Sequence, residues 1–171
     1  MTEITRTALI AQTIRALRAE YIVDKYAPSY FEINNGLCDE FGEEVVARFS
    51  VEDRKGISTV EGANFENEDG RWGSALLRKF WKMAPPALLT WRDLNAIPFG
   101  CHIWVTDGVL HYDAEQPDGV ANFFDLPIFR RSIITYLRTK GVACPDVITE
   151  DVVPAPVCGV ANPELSTEDI A

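Results

Sequence analysis

"HIWVTDGVLHYDAE", residues His102 to Glu115, is the stretch on which the fold turns. Strand-forming residues lie on both sides of Asp107-Gly108, and that combination marks a β-hairpin. An Asp-Gly pair suits a two-residue type I′ turn, in which both central positions need positive φ. If Thr106 and Val109 close that turn, counting outward sets Trp104 opposite His111 and His102 opposite Asp113. Opposed side chains share a face, with Cβ atoms about 4.5–5.5 Å apart. The expected hairpin thus puts a carboxylate beside an imidazole, where it can fix the ring tautomer and favour the imidazolium. Glu115 lies on the same face and takes over from Asp113 if the loop is three or four residues long.

Outward from the hairpin, helical periods dominate. Ile10, Ile14, Leu17 and Tyr21 recur at helical spacing in an amphipathic segment running from Ile4 to about Tyr21. "KYAPSYFEINNGL", with Pro28 and Asn34-Asn35-Gly36, reads as a long loop. In "CDEFGEEVVARF" an apolar stripe of Phe41, Val45, Val46 and Phe49 follows crowded acids, which predicts a helix starting near Leu37 or Cys38. Residues 50–73 are polar, with only "GISTVEG" strand-like, and 72–83 can form a short helix ended by Pro85-Pro86. "IFRRSIITYLRTKG" is a helix with Pro127 at its start and Gly141 at its end, Ile128, Ile133, Ile134 and Leu137 facing the core.

These elements predict an α+β fold in which N-terminal helices, one of them bearing Cys38, pack on a small antiparallel sheet. The expected organisation is one domain over 1–143 followed by a Pro-rich arm over 144–171 with an acidic, flexible tip. Phe123, Phe124 and Leu126 are expected in the core, Cys101 on the strand face opposite His102 and also in the core, and Arg130 and Arg131 as surface charges.

The chain has 171 residues, 47% of them hydrophobic, enough for one well-buried core. A formal charge of −10 repels nucleic-acid phosphate and leaves a basic protein as the partner it would favour. No apolar run reaches the roughly 20 residues that span a bilayer, so a cytoplasmic protein with neither anchor nor leader is expected. Cys38, Cys101, Cys144 and Cys158 contain no CxxC pair, and reduced thiols are expected. Cys38, Cys101, His102, His111 and Asp113 match no zinc-site spacing, and neither a metal nor another cofactor is expected.

Cys38 supplies the nucleophile that an imidazole and a carboxylate lack. At a helix start its sulfur meets the positive end of the dipole and unsatisfied amide groups, which lower a thiol pKa and can hold an oxyanion. "NGLCDEF", then "HIWV", then "YDAE" resembles the papain-like and transglutaminase-like superfamily, whose members run Cys, His, Asp or Asn in this order on an α+β fold. The resemblance implies Cys38 as nucleophile, His102 as general base and acid, and Asp113 as orienter. No Gln stands where papain-type peptidases carry one, so Asn34 or Asn35 is the expected auxiliary oxyanion donor, with Trp104, His111 and Glu115 on the pocket wall. The activity implied is hydrolysis or acyl transfer at an amide, isopeptide or thioester of a protein or peptide. The alternative is an inactive, acidic binding or inhibitory protein on the same scaffold.

Overall fold

Ile10, Ile14, Leu17 and Tyr21 form the buried stripe of α1 (Arg6–Asp24), the first helix of the computed structural model, which describes residues 5–24, 27–62 and 85–144. The helix expected over 72–83 lies outside the described residues, as does the Pro-rich arm beyond Cys144. α2 (Tyr30–Gly36) corrects the reading of that segment as a loop. Its N-cap Ser29 is extended at φ −156° and accepts a hydrogen bond from the Glu32 amide. Ser29-x-x-Glu32 is capping-box spacing, and Asn34-Asn35-Gly36 marks the end of this helix, one residue before the next begins. α3 (Cys38–Ala47) starts as expected, with Asp39 and Glu40 in its first turn.

Three short strands pair antiparallel in the order β1 (Ser58–Glu61), β2 (Ile103–Thr106), β3 (His111–Tyr112). Thr59 pairs with Val105 and Val60 with Trp104 across β1 and β2. The hairpin register differs from the expected one. Thr106 pairs with His111 and Val105 with Tyr112, so the loop is Asp107–Leu110, two residues longer. Gly108 has φ 86°, but Asp107 does not have the positive φ that type I′ demands. Its carboxylate instead accepts from the Val109 and Leu110 amides at 2.9 and 2.8 Å and from Tyr112 Oη at 2.9 Å, which holds the wider loop.

The two faces of β2 feed two cores. Val105, with Tyr112 of β3, packs against Ile10, Ile14, Leu17, Ile33, Phe41 and Val45 from α1, α2 and α3. Trp104 turns the other way, into an aromatic cluster with Phe123, Phe124, Phe129 and Leu94. These come from a 3₁₀ turn (Phe123–Asp125), α5 (Pro127–Thr139) and the single-turn α4 (Trp91–Leu94). Phe123, Phe124, Leu126, Ile133, Ile134 and Leu137 are buried as expected, whereas Cys101 is exposed. Cys101 precedes the first residue of β2, so strand alternation does not govern it.

α3 lies directly on the sheet because Gly42 carries no side chain. A Cβ there would stand 3.3 Å from Thr59 Cγ2 and 3.4 Å from Ile103 Cγ2. Gly42→Val is expected to cost about 1–3 kcal/mol by overpacking. Calorimetry checks the stability, and slower alkylation of Cys38, one turn earlier on the same helix, checks the displacement.

Candidate active site

α3 packs against the start of β2, which brings Cys38 beside His102 and the Ile103 backbone. Leu37, the N-cap of α3, makes no side-chain capping bond, so the amides of the first turn are not capped in the usual way. The Cys38 thiol is half-buried, and burial alone would push its pKa up. The neighbouring His102 and the Ile103 backbone outweigh that, and the thiol is held below its ordinary value despite Asp39.

His102 is fully buried, flanked by Phe129 at 5.6 Å and Trp104 at 6.2 Å between ring centroids. Desolvation opposes its protonation, but Asp113 and then Cys38 raise its pKa to about 9. Its Nε2 lies 3.4 Å from Asp113 Oδ2, beyond ordinary hydrogen-bond length, so the carboxylate acts on the ring mainly through charge in a low-dielectric setting. Among the described residues, four buried side-chain polar atoms lack a partner of good hydrogen-bond geometry. Three of them are His102 Nδ1, His102 Nε2 and Asp113 Oδ2. Buried polar atoms are normally satisfied, and here Nε2 and Oδ2 have only the long contact with each other.

Asp113 reaches His102 by a different route from the expected one. β3 ends at Tyr112, and the chain turns at Asp113, whose Oδ1 accepts from the Glu115 and Gln116 amides at 3.0 and 2.8 Å. That leaves Oδ2 for the imidazole. A register shift of two residues preserves the face, which is why the pair meets even though the predicted cross-strand pairing does not form. The four-residue loop therefore does not hand the role to Glu115.

The auxiliary residues are placed differently from expectation. Asn34 is buried, its Nδ2 donating to Glu115 Oε2 at 3.0 Å and its Oδ1 accepting from the Ala114 amide at 3.2 Å. That amide is committed and does not face a substrate oxygen. Asn35 is exposed one position along the helix. Trp104, His111 and Glu115 are buried. Glu115 pairs with both terminal nitrogens of Arg131, one of them at 2.8 Å, so Arg131 is a structural ion-pair partner and not a surface charge. Nothing in "FFDLPIFRR" distinguishes Arg131 from Arg130 except its place on the helix face that meets α2.

His111 accepts a hydrogen bond at Nδ1 from Trp104 Nε1 at 3.0 Å, and burial lowers its pKa to about 4. Neutral His111 therefore contributes stability in full above the unfolded value of about 6.5, and that contribution is lost as pH falls toward 4. A loss on the order of 3 kcal/mol is expected between pH 7 and pH 4. Thermal unfolding across that range, with His111→Gln as the comparison, measures it. His102 has the opposite sign, since its raised pKa contributes fully below about 6.5 and is lost as pH rises through about 9.

Among the described residues no group of three His, Cys, Asp or Glu side chains is arranged to hold a metal ion, and no helix is long and apolar enough to cross a membrane. No protein-family model, curated protein or solved structure matches the chain, so the site's chemistry rests on its own geometry.

Proposed function

We propose that the protein is a cysteine-dependent hydrolase or acyltransferase acting on an amide, isopeptide or thioester of a protein or peptide. The observation that carries this reading is a thiol of lowered pKa at a helix start, beside a buried histidine that lies 3.4 Å from a carboxylate. The Cys38 thiolate attacks the carbonyl carbon, a C–S bond forms, and the developing oxyanion is met by amides at the start of α3. His102 gives its proton to the leaving nitrogen or sulfur, the bond to that atom breaks, and an acyl-enzyme remains. Water or an acceptor amine then attacks the thioester while His102 takes up the proton, releasing Cys38. Asp113 orients the ring throughout and stabilises its protonated form before acylation and after deacylation. The chain order Cys38, His102, Asp113 resembles that of papain-like and transglutaminase-like enzymes, and a reducing, cytoplasmic setting suits a free thiolate.

A reactive acyl donor such as a peptide thioester tests the reading, with peptide mass spectrometry locating the acyl group. Ordinary thiols react in order of exposure, which would favour Cys101 over the half-buried Cys38. Acylation at Cys38 first at pH 6, with turnover lost in His102→Ala, is the expected result. Acylation following exposure and indifferent to His102 would sink it.

The second reading, an acidic protein that occupies a basic surface of a partner, draws on the exposed Asp39, Glu40 and Glu43 around the start of α3 and on the complete burial of His102. It predicts an inert Cys38, so the same experiment separates the two.

A further inference from the structure

Three helices each send one polar side chain to the same short turn. Arg18 of α1 donates from Nη1 to the Ala114 carbonyl at 3.1 Å and lies 4.0 Å from the centre of the Tyr30 ring. Asn34 of α2 spans the turn, meeting the Ala114 amide with one end and Glu115 with the other. Arg131 of α5 closes on Glu115 and lies 4.6 Å from the centre of the Phe31 ring on α2. The turn so gripped is the one whose amides hold Asp113 Oδ1 and leave Oδ2 toward His102.

Asn34 also belongs to the helix that ends at Gly36, with only Leu37 between it and Cys38. We propose that Asn34 and the Glu115–Arg131 pair form a positioning device that sets the Asp113 carboxylate against His102 in register with the Cys38 helix. The proposal rests on the cysteine-enzyme reading. Asn34 and Glu115 thus act through Asp113, and neither has to touch substrate. A backbone turn carrying a carboxylate is free to rotate unless its neighbours fix it, and here the Ala114 amide, the Ala114 carbonyl and the Glu115 carboxylate are each held by a side chain from a helix. The Phe31 ring under the guanidinium ties the ion pair back to α2, so displacement of α5 and displacement of the nucleophile helix are felt at the same turn.

The experiment is the pH profile of Cys38 alkylation by iodoacetamide, read by peptide mass spectrometry in the full chain. Asn34→Ala is the first variant. Glu115→Gln combined with Arg131→Gln is the second, replacing the ion pair with neutral amides should Asn34→Ala not fold. Asp113→Asn and His102→Ala are the references. The acid limb is expected to move up by about one pH unit in both clamp variants, toward that of Asp113→Asn, a tenfold loss of labelling on the limb. Arg131→Lys, which keeps the charge, is expected to retain the parental limb. A clamp limb that stays with the parent while both references move would overturn the positioning role alone, even where melting temperature falls. A limb unmoved in His102→Ala as well would overturn the cysteine-enzyme reading, and the clamp's catalytic meaning with it.

Discussion

In His102→Ala, alkylation of Cys38 at pH 6 is expected to slow toward the rate of an ordinary thiol of pKa about 8.5, of which only about 0.3% is ionised there. The sign follows from the opposed effects on the thiol. Burial raises its pKa, and the neighbouring His102 is among the groups that bring it down. With the imidazole gone the Ile103 backbone still lowers it, but burial and Asp39 both raise it. Alkylation should then follow a single ordinary thiol titration, whereas the parent keeps a reactive thiolate down to lower pH. The same digest reports labelling at exposed Cys101 alongside Cys38. Equal Cys38 rates in parent and variant would remove the Cys–His couple.

The second large effect concerns stability. Arg131→Ala is expected to cost about 3 kcal/mol, the lower end for breaking a buried ion pair, because Glu115 is left 1% exposed while the guanidinium itself is 30% exposed. For a chain of this size the melting temperature should fall by roughly 6–12 °C. Most of that cost is the stranded carboxylate. Glu115→Gln in the Arg131→Ala background should therefore recover part of the loss, and the double-mutant cycle measures the coupling. A drop of less than about 1 kcal/mol would instead place the pair with ordinary surface ion pairs.

The contrast between Asp113 and Arg131 indicates what local pattern can carry. The α+β class, α1, α3, the hairpin and the 127–139 helix were legible because periodicity and turn residues act over a few positions. The hairpin register was not, because Asp107's carboxylate competes with the backbone preference of Asp-Gly and widens the loop. The cross-strand pairing expected of His102 and Asp113 does not form, and they meet because a shift of two residues keeps the face. Asn34 stands close to Cys38 in sequence, but its contacts depend on Glu115, 81 positions away. Ser29 and Glu32 carry the signal for α2, while Pro28 and the Asn-Asn-Gly run signal a loop. No spacing rule separates Arg131 from Arg130 without knowing which helix lies opposite.

The distance along the chain between the clamp's partners also sets when the site can exist. Arg18 and Ala114 are 96 positions apart, Asn34 and Glu115 81. Closing loops of that length is slow compared with forming α1 and α3, which need only neighbours. During synthesis Cys38 emerges long before His102 and Asp113, and remains an ordinary thiol until most of the chain has been made and the sheet has closed. In the proposed cysteine enzyme, reactivity is thereby tied to completion of the fold. In refolding, labelling of Cys38 at pH 6 should appear with the slowest phase and after the helical signal, a kinetic order set by topology alone.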